Sequence, residues 1–402
     1  MSKMLIKNGT LYTMGEKGIV EKGDILIEDG IIKEIGENIE IEEGDVFDVS
    51  GAFVMPGMID AHCHVGLSEE GISKSVDDSN EMNDPVTPQL RVIDGINPLD
   101  MGFRDAYQNG ITTLGIAPGS ANIVAGQFAV MKTFGNRVDY MAIDEKNGIK
   151  VSLGENPISV YGKSGKTPAT RMAVAAILRE TLLKAEEYMD LKSRALDEDR
   201  DEPSFDMKYE AMLDVIDGSI PLRIHVHRSD DIFTAIRIAR EFNLDIVLEH
   251  CTEGHFIADQ LAEEGYPVVL GPGLTDKSKY ELRNLSFKTP AELVKRGIKV
   301  AIMTDAPEVP IKYLPICAGL AVKEGLDEYE ALKCITINPA EILRVDDRVG
   351  SLEVGKEADI AVFSGNPIRD IYSKNILTMI NGVIVHIMAQ KEEVQDEQAD
   401  KQ

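Results

Sequence analysis

Two histidines stand two residues apart in Met55-Pro56-Gly57-Met58-Ile59-Asp60-Ala61-His62-Cys63-His64, just after the apolar run Ala52-Phe53-Val54-Met55. A β-strand repeats its side-chain direction every two residues, so His62 and His64 share a face while Cys63 points away. Two imidazoles on one face at a strand end can share one metal ion. A second such pair, His225 and His227, closes the run Leu222-Arg223-Ile224-His225-Val226-His227. There Leu222, Ile224 and Val226 occupy the opposite face and suit packing against helices. His250 ends Ile246-Val247-Leu248-Glu249-His250, and Asp305 ends Val300-Ala301-Ile302-Met303-Thr304-Asp305. A carboxylate at a strand end can ligate a metal and accept a proton from water.

A second ion would need a bridging carboxylate, and Glu155 at the end of Lys150-Val151-Ser152-Leu153-Gly154-Glu155 is the candidate. Lys150 could serve only if carboxylated. The spacing puts it at the start of its strand with parity opposite to Glu155, so Glu155 is preferred. His227 is a core residue or, with Arg228 and Gln127, a substrate contact. Arg91, Asp94, Asn97, Arg171, Ser229, Asp230 and His255 read first as loop or surface positions.

These residues need a frame. Apolar runs at 111–116, 149–153, 222–226, 245–248, 267–270 and 300–304 alternate with helical patterns at 169–191, 230–242, 256–265 and 290–296. Such alternation predicts a parallel sheet with covering helices. Across residues 56–344 it fits a (β/α)8 TIM barrel, an α/β fold whose active sites lie at the C-terminal ends of the strands. Six of the seven histidines fall at or just past such ends. No GxGxxG fingerprint follows an early strand, which disfavours a doubly wound sheet. Both ends of the chain are strand-like, with hairpin turns at Asp29-Gly30 and Asn381-Gly382. Residues 1–55 and 345–390 therefore predict a small composite β-sandwich. Residues 69–100 form a long polar connection expected to be functional or a lid. The tail, 391–402, is charged and expected to be disordered.

Composition narrows the partners. The chain has 402 residues and a net charge of −27, which argues against binding nucleic acid or an anionic membrane. No apolar stretch reaches the roughly 18 residues of a membrane span. The N-terminus lacks a signal-peptide core, so a cytoplasmic location is expected. The four cysteines form no CxxC pair and read as free thiols. A small-molecule substrate is the expected partner, and a homo-oligomer is open.

The stretch Pro56–His64, together with His225, His250, Thr304-Asp305 and the tail Gly350-Ser351-Leu352-Glu353-Val354-Gly355-Lys356-Glu357-Ala358-Asp359-Ile360, resembles the amidohydrolase superfamily, in particular its imidazolonepropionase-like members. The resemblance implies one or two divalent metals and hydrolysis of C–N or related bonds; imidazole and carboxylate ligands suit zinc, with manganese, iron or nickel open. It implies that His62, His64, His225 and Asp305 hold a first metal and that Glu155 and His250 help hold a second. Glu155 resembles the glutamate variant of acetyl-amino-sugar deacetylases in that superfamily. The expected activity is hydrolysis of amides or cyclic amides, with Asp305 as the proton carrier. The alternatives are a heterocycle aminohydrolase, a dipeptidase, and a metal-free binding protein on the same fold.

Overall fold

A computed structural model describes residues 3–69 and 77–388, so the charged tail and part of the long connection lie outside the described residues. Eight strands form the central sheet: β1 (Met58–Cys63), β2 (Ile111–Ile116), β3 (Val124–Lys132), β4 (Ala142–Ser152), β5 (Leu222–Val226), β6 (Ile246–His250), β7 (Val268–Leu270) and β8 (Val300–Ile302). Each strand hydrogen-bonds to its neighbours in chain order. The sheet curls until β8 approaches β1. That seam is bridged by His64 N–H donating to Ala306 O at 2.8 Å and Thr304 N–H donating to the Asp60 carboxylate at 2.9 Å. Ile224, Leu248, Val268 and Val300 belong to the outer core, packed with helical residues such as Leu178, Ile236 and Leu293. Phe128, Val130, Val247, Val269 and Ala301 of the strands form a separate cluster with Met303 just past β8 and with later residues such as Ala340 and Leu343.

The expected all-parallel (β/α)8 pattern needs one correction. Strand β3 runs antiparallel to both β2 and β4, whereas β1–β2 and β4 through β8 pair in parallel. Antiparallel neighbours can be joined by short connections, whereas parallel ones need a crossover. The links at 117–123 and 133–141 are accordingly short. Gly126 and Gln127, the latter a candidate substrate contact, both lie within fully buried β3. Residues 86–91, part of the long connection, run beside this strand: Gln127 N–H donates to Leu90 O at 2.7 Å, and Thr87 N–H donates to Val124 O at 2.8 Å.

A second sheet draws strands from both ends of the chain. Phe53–Pro56 pairs in parallel with Lys3–Tyr12 and antiparallel with Ile360–Phe363, which joins the two ends. Ile6, Leu11, Ile25, Val54, Ile360 and Leu377 fill its core. Asp29 and Gly30 both take positive φ, 51° and 81°, as do Asn381 and Gly382, 51° and 74°, and each pair joins antiparallel neighbours. No helix among the described residues is long and apolar enough to cross a membrane.

Gly57 is the step between the two sheets. A Cβ there would overlap the Thr112 side chain on β2, so the approach of the two strands requires glycine. Gly57→Ala is therefore expected to cost about 1–3 kcal/mol through overpacking. It should lower the urea midpoint, and an unchanged midpoint would contradict this contact.

Candidate active site

His62 on β1 is fully buried. Its Nδ1 lies 2.9 Å from Glu249 Oε2, and its Nε2 lies 3.5 Å from Asp305 Oδ1 and 2.8 Å from Lys150 Nζ. His64 places Nδ1 2.8 Å from Ala117 O and Nε2 3.3 Å from the same Asp305 oxygen. Cys63 packs into the outer core, as alternation requires. Asp305 follows β8 at a φ of 56°, which carries its carboxylate to the two histidines.

On β5, Leu222, Ile224 and Val226 join the outer core, leaving Arg223, His225 and His227 for the interior. Glu249 and His250 are consecutive, and a regular strand would send them to opposite faces. His250 and Cys251 instead adopt φ of 70° and 44°, conformations uncommon outside glycine. That turn brings both Glu249 and His250 to the site. His250 Nδ1 then lies 2.7 Å from Gly271 O, and its ring centroid lies 4.2 Å from that of His225.

Two groups of donors result. His62, His64 and Asp305 form one, and His225, His227 and His250 form the other, with donor atoms in each group within 4.8 Å of one another. This grouping differs from the expected one. His225 lies with His227 and His250 rather than with His62, and His227 joins the cluster it was expected only to adjoin.

Glu155 belongs to neither group. It opens the helix Glu155–Gly162, and its carboxylate accepts from Glu281 N–H at 3.4 Å. Lys150 stands at the site instead. Ile149 and Val151 pack outward and Lys150 inward, and its long stem carries Nζ to His62. Lys150 does not open its strand as expected: β4 begins at Ala142, so Lys150 stands near its C-terminal end, and Gly154 at a φ of 89° breaks the strand before Glu155, so parity could not decide between the two.

The remaining candidates lie elsewhere. Arg228 is held by Asp230 at 2.7 and 2.8 Å. Gln127 Nε2 donates to Pro88 O at 3.5 Å. Arg171 pairs with Asp231, Arg91 with Glu145, and His255 with Thr289. Spacing also passed over Arg223, Glu249, Lys279 and Glu281. The available signal was a charged residue inside an apolar strand, as in Ile149-Lys150-Val151 and Leu222-Arg223-Ile224.

Burial sets the charge states. It drives His62, His227 and His250 well below the ordinary histidine value, and holds His225 at about 4. For Asp305, burial alone would raise the carboxyl, but His250, His64 and His62 outweigh it and keep it ionised far below the usual range. Burial lowers Lys150 to about 8, against the opposing pull of Glu249 and Asp305. Burial thus favours the neutral imidazoles of His62, His225, His227 and His250, and Asp305 is ionised, the forms that offer lone pairs to a cation.

The hydrogen bonds agree with that use. Protein oxygens engage Nδ1 of His62, His64 and His250, and Thr252 Oγ1 engages that of His227 at 2.7 Å, which turns each Nε2 toward the site, where that of His62 meets Lys150 Nζ at 2.8 Å. Asp305 Oδ1 and His227 Nε2 have no hydrogen-bond partner among the described residues. Imidazole and carboxylate donors of this kind fit a divalent metal such as zinc. A cavity of about 320 Å³ opens over both groups, with Ser120, Asn156, Lys279 and Glu308 in its wall.

The same burial makes stability depend on pH. A histidine with a lowered folded pKa takes its proton first in the unfolded chain. Its stability contribution is full above 6.5 and is lost as pH falls toward 4, a difference of roughly 3 kcal/mol for His225 alone. Chelator-treated protein should therefore lose thermal stability between pH 6.5 and 4.5, and His225→Asn should make that loss shallower. Parallel melting curves for the two proteins across this range would contradict the assignment.

Known proteins place this site in a family. The sequence profile of the Amidohydrolase family matches residues 192–388. A crystal structure of an amidohydrolase from Thermotoga maritima MSB8 is 41% identical, superposes with a TM-score of 0.93, and covers 96% of this chain and 100% of its own. Amidohydrolase tasK of Hapsidospora irregularis is 26% identical over 350 residues, 80% of this chain and 35% of that protein. An imidazolonepropionase of Brevibacillus brevis is 34% identical over 129 residues, 31% of this chain and 29% of its own. The chain thus spans about a third of the length of these two curated relatives. The near-complete match to the Thermotoga structure, together with the histidine–aspartate site at the barrel mouth, shows that the chain belongs to the amidohydrolase family.

Proposed function

We propose that this chain is a metal-dependent hydrolase of amide or cyclic-amide C–N bonds in small, polar substrates. The observation that carries this reading is the pair of donor groups, His62, His64 and Asp305 beside His225, His227 and His250, under one cavity. A divalent cation bound by them, zinc foremost, would polarise the scissile carbonyl and lower the pKa of water toward about 7. Asp305 is the proton carrier: its unpartnered Oδ1 takes a proton from the attacking water and returns it to the leaving nitrogen. His62 Nε2 and His64 Nε2 flank that oxygen at 3.5 and 3.3 Å. The polar wall and the cavity's size favour a small substrate over a protein chain.

Lys150 replaces Glu155 in this reading as the source of a bridging carboxylate. Its neutral amine would add to CO2 to give a carbamate and release one proton. A pKa lowered to about 8 favours that step, because more of the amine is uncharged at neutral pH.

Zinc-loaded protein should be assayed against N-acyl amino acids, dipeptides and cyclic ureides for release of amine and carboxylate. Ammonia release from an aminoheterocycle, with no amide opened, would assign an aminohydrolase instead. Asp305→Asn should retain zinc by elemental analysis while kcat falls roughly 10²- to 10⁴-fold. Full activity in that variant would remove Asp305 from its role. For Lys150, zinc uptake by stripped protein should increase with bicarbonate, and ¹³C-bicarbonate should give a carbamate resonance that Lys150→Met lacks. Uptake indifferent to bicarbonate, with no such resonance, would remove Lys150.

A further inference from the structure

Glu281 follows β7 in the short turn Tyr280–Leu282 and is fully buried. Its Oε2 accepts the Glu155 N–H at 3.0 Å. Its Oε1 lies 2.8 Å from Lys279 Nζ, 3.6 Å from His227 Nε2 and 3.8 Å from His225 Nε2. The last two separations are too long for hydrogen bonds. They are close to the edge of a coordination tetrahedron, since two donors each about 2.1 Å from one ion lie roughly 3.4 Å apart. The first donor group shows the same spacing, with Asp305 Oδ1 at 3.5 and 3.3 Å from His62 and His64. His227 Nε2, buried and without a hydrogen-bond partner among the described residues, faces this carboxylate.

We infer that Glu281 is the carboxylate ligand of a second cation site built with His225, His227 and His250, distinct from the site at Asp305. The inference rests on the metal-dependent reading above and deepens it in one respect. The second ion has its own carboxylate on the loop after β7, in addition to a carbamate shared at Lys150. Lys279 competes with the cation for Glu281 Oε1. Its side chain is 24% exposed at the cavity wall, and its Nζ also donates to Asn156 Oδ1 at 2.9 Å.

The test is a zinc chloride titration of stripped, full-length protein, followed by calorimetry and by metal content after desalting. Wild-type protein should bind two zinc ions per chain. Glu281→Gln should weaken one step by roughly tenfold or more and leave the other unchanged. Lys279→Met should keep both steps and tighten the weaker one. With cobalt(II), Glu281→Gln should alter the visible band of only one of the two equivalents. Two unchanged steps in Glu281→Gln, a single zinc in wild-type protein, or an equal loss in Lys279→Met would each overturn the inference while leaving a hydrolase with one ion intact. No zinc uptake by wild-type protein would overturn both. Should Glu281→Gln fail to fold, His227→Gln must weaken the same step and only that step. An unaffected second step there overturns the inference equally.

Discussion

Glu249 is fully buried and touches Arg223 at 2.8 Å on one oxygen and His62 at 2.9 Å on the other. Burial favours the neutral acid at that depth, and the Arg223 and Lys150 charges pull the other way. Arg223, equally buried, donates to Ala61 O at 3.2 Å and stacks its guanidinium over Phe128 at 4.2 Å. Removing either charge would strand the other in a low-dielectric interior. The pair therefore holds together as a unit, and through it His62 is fixed in ring orientation and tautomer. The position of Nε2 toward Asp305 and Lys150 depends on that fixed ring.

Backbone carbonyls do for His64 and His250 what Glu249 does for His62. Ala117 O just past β2 and Gly271 O just past β7 each take one Nδ1. These carbonyls lie at strand ends, where the ladder no longer uses them, so the architecture that ends each strand also orients its neighbour's histidine. The antiparallel β3 fits the same scheme. It fills one place in the barrel without a crossover helix and pins residues 86–91 of the long connection beside it. Further back along that connection, Asp77, Ser79 and Asn80 line the site cavity.

Much of the frame was legible in residue order. The strands at 111–116 and 222–226, the terminal hairpins and the joining of both chain ends follow from period-two alternation and from Asp-Gly and Asn-Gly turns. So do the inward histidines of β5, whose apolar partners face the helices. What failed was parity carried across a break. Gly154 interrupts β4 before Glu155, and the turn at His250 lets two consecutive residues face one site. Strand β3 was hidden because it is buried on both faces and contains Gly126-Gln127, so it shows neither alternation nor a clean apolar run.

His62, His64, His225, His250 and Asp305 were thus determined by sequence alone as residues at strand ends, because strand periodicity is local and each run carries its own record of which side chains face inward. Their division into two groups, the entry of Lys150 and Glu281, and the burial that keeps the histidines neutral were decided only by the tertiary structure. Those properties depend on which strand ends meet across the barrel and how far each long side chain reaches. Neither is a function of spacing along the chain.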